Sequence, residues 1–221
     1  MPRVLREALR STARLVLTRR SSFSQFGEDE VIARLLPQPV GRYVDVGAYH
    51  PHVYSNTYLL YRRGWSGVAI DPNPDSELLF RIFRRRDTFV RCGVGRPGRG
   101  VYYRYSDGAY NGFAPSRTRR GVVLVDTVET EIRPLASLLP PGHVELLNVD
   151  VEGMDLAVLE TFDWADPPEV VAVEGEESGP FLERLGYELE ASCGLTRVWR
   201  LAGYAGEPPA GGRYRSRISS V

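Results

Sequence analysis

The chain contains no lysine. All 28 of its basic residues are arginine, and 28 acids balance them to a formal net charge of zero. Without a positive surplus there is no overall field to hold DNA or RNA, so nucleic acid is not an expected partner. We read the arginine-only usage as a mark of genome composition before function. Only two cysteines occur, Cys92 and Cys193. They lie far apart and fit neither a zinc spacing nor a disulfide framework, which makes a reducing cytoplasm the expected setting. No stretch approaches the roughly 18 apolar residues that cross a bilayer.

What is present is enough for one packed domain with tails: 221 residues, 43% hydrophobic. Residues 1–21 form a basic amphipathic segment, with Arg3, Arg6, Arg10, Arg14, Arg19 and Arg20 among Val4, Leu5, Leu9, Leu15 and Leu17. Such a segment packs its leucines on the domain, or lies on an anionic membrane surface as a peripheral contact, or resembles an organelle presequence. Residues 203–221 are rich in Gly, Pro, Arg and Ser and read as a loose tail.

Between them, over residues 22–202, helical and strand patterns alternate. Helices are expected over Gln25–Leu36, Asn56–Arg63, Ser76–Arg85, after Asp150-Val151-Glu152-Gly153 to about Phe162, and over Phe181–Leu185. Strands are expected over Tyr43–Val46, Gly67–Ile70, Thr88–Val94, Glu145–Val149 and Glu169–Val173, with a further short strand over Val122–Val125. A terminal hairpin pairs Tyr187–Ala191 with Thr196–Leu201. Gly95–Arg120, with turns at Asp107-Gly108 and Asn111-Gly112, has hairpin character and is the candidate lid or insertion. The whole is an α/β pattern: a mostly parallel sheet, helices on both faces, and a closing antiparallel hairpin. Such sheets bind ligands at the carboxyl ends of their strands.

The first strand ends in Val44-Asp45-Val46-Gly47-Ala48 and the second in Ile70-Asp71-Pro72-Asn73-Pro74. A glycine after the first strand lets the backbone approach a nucleoside, and an acid ending the second can accept both ribose hydroxyls. That pair serves either NAD or S-adenosylmethionine. A dinucleotide site needs G-x-G-x-x-G to cradle a pyrophosphate, yet no glycine follows Gly47 until Gly64. S-adenosylmethionine carries no phosphate and needs no such cradle, so a dehydrogenase is disfavoured.

The set Ser24-Gln25-Phe26-Gly27-Glu28-Asp29, Tyr43 to Ala48, His50-Pro51, Ser55-Asn56-Thr57, Gly64-Trp65-Ser66-Gly67, Ile70 to Pro74 and Asp150-Val151-Glu152-Gly153 resembles the FkbM-type methyltransferases, in order from about Ser22 to Glu174. The resemblance implies a Rossmann-like class I methyltransferase fold, S-adenosylmethionine as methyl donor, and O-methylation of natural products and glycans. It further implies that Asp45, Gly47 and Ala48 line the methionine half of the cofactor and that Asp71 takes the ribose diol. Ser55, Asn56 and Thr57 then face the cofactor carboxylate, and Gln25 supports the cleft. Ser55 or Asn56 as a plain N-cap is the alternative. The adenine-recognising residue should lie near Cys92 to Gly95, where the sequence offers no candidate.

A sugar hydroxyl is a poor nucleophile and needs a base or a metal to take its proton. Asp150 and Glu152 follow the fourth strand, and Glu174 and Glu176 the fifth. Asp150, Glu152 and Glu174 are candidate Mg²⁺ ligands, since that ion prefers oxygen donors, and Asp150 and Glu152 are candidate catalytic groups without it. His50 and His52 are candidate bases in the loop after the first strand. His143 falls at the opposite sheet edge and is expected to be structural. Tyr49, Tyr54 and Tyr110 can offer aromatic faces to a sugar, whereas Trp65 is expected in the core. The expected acceptor is a sugar hydroxyl of a glycan, polysaccharide or glycolipid, of mannose or rhamnose type. A macrolide-like product and a non-catalytic binding protein of the same fold are the alternatives. N-methylation is disfavoured, because Asn148-Val149-Asp150 stands where an Asn/Asp-Pro-Pro-aromatic stretch would be needed.

Overall fold

The computed structural model describes residues 21–115, 120–151 and 153–204. The basic N-terminal segment and nearly all of the expected tail lie outside the described residues. Among those described, β1 (Arg42–Val46), β2 (Ser66–Ile70), β3 (Thr88–Val90), β7 (Leu146–Val149), β8 (Val170–Glu174), β9 (Tyr187–Cys193) and β10 (Thr196–Leu201) form one sheet in the order β3-β2-β1-β7-β8-β10-β9. The first five strands pair in parallel, and β10 and β9 close the sheet antiparallel. A smaller sheet, ordered β4-β6-β5, joins β4 (Gly93–Val94), β5 (Gly98–Tyr105) and β6 (Leu124–Arg133).

The parallel strands are apolar on both sides, as sheets covered on both faces must be. Val44, Val46, Leu147, Val149, Val171 and Val173 pack on one face with Val158 and Leu159 of α4 (Asp155–Leu159) and Leu182 of α5 (Gly179–Arg184). Tyr43, Leu146, Val170 and Ala172 pack on the other with Val31, Ile32 and Leu35 of α1 (Glu28–Leu35) and Leu60 of α2 (Tyr58–Arg63). Trp65 is fully buried there, its indole N–H donating to the Gln38 carbonyl. Phe80 of α3 (Pro74–Phe83) packs on Ala69 of that face.

Three of the differences from expectation bear on the site. Helix α1 starts at Glu28, because Gly27 adopts a left-handed φ of 88° and Asp29 turns back to accept from Phe23 N and the Ser22 and Ser24 hydroxyls. Gln25 is therefore in a turn outside the helix. The expected third strand divides after Val90: β3 stays with β2, whereas β4 crosses to the small sheet beside Ile132 and Arg133. The short strand expected near Val125 runs on to Arg133 and pairs along the length of β5, so Gly98–Tyr105 of the candidate insertion is one arm of a larger hairpin.

On the α1–α3 face a polar network is sealed inside. Arg84, just past α3, is 1% exposed. Its Nε donates to Asp87 at 2.7 Å, one terminal nitrogen to the Pro51 carbonyl at 2.8 Å, and the other to Tyr43 Oη at 2.7 Å and Thr57 Oγ1 at 3.0 Å. Thr57 donates on to Asp45 at 2.6 Å, Asn148 donates to the other Asp45 oxygen, and Asn56 donates to Asn148. The Tyr61 ring stacks against the guanidinium at 4.6 Å. Burial works against the arginine charge, but Tyr43, Asp87 and Asp45 outweigh it and hold Arg84 protonated.

Removing one partner of a buried pair strands the other charge and typically costs about 3–5 kcal/mol. Arg84→Met is expected to lose about that much in urea unfolding. Arg84→Lys, which keeps the charge but not the planar fork, should recover only part of it.

Candidate functional site

At the carboxyl ends of β1, β2, β7 and β8 lies a cleft of about 970 Å³, part of it open to solvent. Its floor is Val46, Gly47, Ile70 and Asp71; Asp150, Val151, Met154 and Glu174 border one end, and Cys92, Gly93 and Val94 with Tyr102 of the small sheet and Asn111 and Phe113 of the loop after β5 border the other. Gln25, Tyr49 and Tyr54 complete the rim.

Gly47 has φ of 78°, and a Cβ there would overlap the Asp150 carbonyl, so only glycine lets the ends of β1 and β7 close this tightly. Gly47 and Ala48 both donate to the Ile70 carbonyl. Beyond them Tyr49 and Tyr54 take left-handed φ values of 44° and 56°, uncommon for side-chain-bearing residues. Both sit on the cleft, where such strain concentrates in functional loops.

Asp71 lies on the floor, 4% exposed. One carboxylate oxygen accepts from Asn73 N at 2.7 Å and the other from Tyr49 N at 2.9 Å. Burial pushes the acid up to about 6, against the pull of those two hydrogen bonds and helped by nearby Asp45. Each oxygen retains a lone pair for a hydroxyl donor.

Of the other expected cofactor residues, Gln25 and Gly47 line the cleft and the rest do not. Asp45 points to the opposite side of β1, where Thr57 and Asn148 bind both its oxygens. Ala48 is buried against Ala69 and Phe80. Ser55 closes the start of α2 by accepting from Tyr58 N, and Asn56 and Thr57 belong to the Arg84 network. In the structure these side chains are engaged in hydrogen bonds beneath the cleft rather than in its lining.

Among the candidate catalytic groups, Asp150 is exposed on the cleft. His50 and His52 are each 4% exposed and do not line it. His50 Nδ1 accepts from the backbone N–H of His52 and Val53, and His52 packs edge-on against Phe83. Both histidines are buried in the loop rather than set in the cleft lining. Glu152 lies outside the described residues. Asp150 and Glu174 share the cleft, but among the described residues no group of three His, Cys, Asp or Glu can hold a metal ion. His143 pairs with Asp166 and Glu169 away from this lining.

Sequence reasoning missed Asp155, whose carboxylate accepts from Val151 N and Gly153 N and so shapes the loop carrying Asp150. Burial raises Asp155 to about 6. It missed Arg84 too, and the cleft residues Tyr102, Asn111, Phe113 and Met154. The Asp-Gly and Asn-Gly turns flanking Tyr110 were the only sequence signal near the second group.

The family model described as "Methyltransferase FkbM domain" matches residues 45–191. No curated protein matches the chain. Among solved structures, a TehB-like SAM-dependent methyltransferase from Corynebacterium glutamicum is similar at 13% identity and TM-score 0.46, with 90% of this chain and 97% of that one covered. A Klebsiella pneumoniae protein assigned as an O-methyltransferase is similar at 12% identity and TM-score 0.44, with 91% of each chain covered. The C-terminal domain of precorrin-6Y C5,15-methyltransferase from Rhodobacter capsulatus follows at 14% identity and TM-score 0.39, with 78% and 85% covered.

The raised Asp71 acid gives a pH signature. Its proton is held up to about pH 6, so above that the carboxylate is available to hydroxyl donors and below it one charged acceptor is lost. Affinity for S-adenosylmethionine should therefore be flat above pH 7 and fall as pH drops through 6, by at most about tenfold per pH unit. Calorimetry from pH 5 to 8 reads this, and Asp71→Asn should be weak and flat across the range. The same shift makes ionisation of Asp71 cost stability as pH rises from about 4 to 6, because the unfolded acid releases its proton first.

Proposed function

Because the chain belongs to the FkbM methyltransferase domain family, we propose that it transfers the methyl group of S-adenosylmethionine to a sugar hydroxyl of a glycan or glycolipid. The observation that carries this reading is one cleft holding Asp71 at the end of β2 and, across Gly47, the carboxylates Asp150 and Glu174. The first group suits a ribose diol. The second suits the hydroxyls of a polar acceptor and the proton that one of them must lose. Tyr49 and Tyr54 on the same rim, the latter 55% exposed, supply ring faces of the kind that sugar C–H surfaces stack on.

In the reaction the acceptor hydroxyl oxygen attacks the methyl carbon as the methyl–sulfur bond breaks, and the sulfonium becomes a neutral thioether. The hydroxyl proton passes to a base. Asp150 is our candidate, since it is exposed on the cleft and can return the proton to solvent. Glu174 then holds a neighbouring hydroxyl. Magnesium would need Asp150 and Glu174 with Glu152 as the third oxygen donor. The described residues do not form such a group, and we derive no step from a metal. Buried, unpaired Cys92 and Cys193 fit a reducing cytoplasm.

A panel of mannose- and rhamnose-containing acceptors with methyl-labelled donor tests the reading. We expect incorporation that survives excess EDTA, and a loss of at least about 10²-fold in kcat for Asp150→Asn with donor affinity unchanged. Activity abolished by EDTA and restored by Mg²⁺ would instead bring back the metal with Glu152 in its shell. Incorporation into a macrolide hydroxyl but no sugar would overturn the acceptor class.

A further inference from the structure

Nothing in the sequence near Cys92 suggests what holds a nucleobase, yet the cleft there is lined by the aromatic residues Tyr102 and Phe113. The cleft has two unlike ends. Beyond Gly47 it carries the carboxylates Asp150 and Glu174, which suit the reacting end. Beyond Asp71 no further acid lines it among the described residues: Pro72, Cys92, Gly93 and Val94 meet Tyr102, Asn111, Gly112 and Phe113. A ribose held at Asp71 therefore directs its base toward the second end.

The Phe113 ring is held there by two glycines on different strands. A Cβ at Gly93 would stand 2.6 Å from it and one at Gly100 2.9 Å, so the ring lies directly on the backbone of β4 and β5. Tyr102 meets it edge-on at 5.4 Å. Reciprocal hydrogen bonds between Tyr103 and Gly112, at 2.8 and 3.2 Å, fold the loop back on β5 and fix the segment that carries Phe113. Asn111 uses its carbonyl to accept from Tyr105 N at 2.8 Å, which leaves its amide N–H₂ facing the Tyr102 hydroxyl. A ring wall with an amide donor and a hydroxyl beside it is what a purine with edge acceptors requires.

Resting on the cofactor reading above, we propose that Phe113, Tyr102 and Asn111 form the adenine subsite: Phe113 is the ring wall, and Tyr102 with the Asn111 amide supplies the polar contacts to the base edge. Arg104, bridging Asp75 at 2.8 Å and Asp126 at 2.9 Å, ties this sheet to the first turn of α3 and so sets the distance between subsite and ribose.

Calorimetry with S-adenosylhomocysteine and with S-ribosylhomocysteine, which lacks the base, tests this. Phe113→Ala, Tyr102→Phe and Asn111→Asp, the last keeping the acceptor for Tyr105 N, should each weaken S-adenosylhomocysteine by about tenfold. Binding of S-ribosylhomocysteine should stay unchanged, and each variant should still unfold cooperatively at a temperature above that of the titration. Wild-type affinity for S-adenosylhomocysteine in all three variants would overturn the subsite and leave the cofactor reading intact. An equal loss toward both compounds would also overturn it, by placing the effect on the ribose or the fold. If the wild-type protein binds neither compound, the cofactor reading falls and the subsite with it.

Discussion

The geometry of the cleft hangs on one buried guanidinium. Between Gly47 and Thr57 the chain runs through eleven residues without helix or strand, most of them buried. Buried loop backbone is costly unless its polar groups are met. Arg84 meets the Pro51 carbonyl at the middle of this loop and Thr57 at its end, while its other contacts fix it to Tyr43 of β1 and to Asp87. Asp87 in turn accepts from Gly67 N of β2. One side chain thus ties the loop to the two strands whose ends form the cleft floor. The left-handed backbone at Tyr49 and Tyr54 is held in a loop clamped in this way.

The network explains why two acids that look alike in the sequence do different work. Asp45 and Asp71 each sit at the end of a strand, but the register pairs Asp45 with Ala69 and Val46 with Ile70. Asp71 therefore lies level with Gly47, one row past the sheet, where its carboxylate meets the cleft. Asp45 is still inside β1, on the face it shares with Ala69, and its carboxylate is taken up by the Arg84 network. The sequence shows both acids and the glycine; only their place relative to the strand ends separates them. The same holds for the histidines, since adjacency to the cofactor loop says that they are near without saying which way they turn.

Strands were legible where a short, mainly apolar run is rich in Val and Leu and bounded by turn residues, as in Tyr43–Val46 and Glu145–Val149, even though Asp45 and Asn148 interrupt them. The hairpin of the small sheet was only half legible. Leu124–Arg133 alternates threonine and acids and is largely exposed, so its pattern carries little burial signal and its pairing comes from β5. Arg84 was hidden for a related reason. It opens the run Arg84-Arg85-Arg86-Asp87, which reads as a solvated helix end, and only the close of α3 turns the first arginine inward.

Charge in the cleft changes during methyl transfer, and this sorts the remaining acids. The sulfonium of the donor is a cation that disappears as the thioether forms. Carboxylates fixed beside it favour the ground state and would slow the step if they did nothing else. An acid that receives the hydroxyl proton escapes this penalty, because its charge is neutralised as the sulfonium's is. Asp155 cannot take that part: it is buried and already committed to Val151 N and Gly153 N. Asp150 sits on the loop that Asp155 shapes, exposed where a proton can leave. The cleft therefore exposes the acid that the proposed reaction uses as its base and seals the acid that shapes its loop.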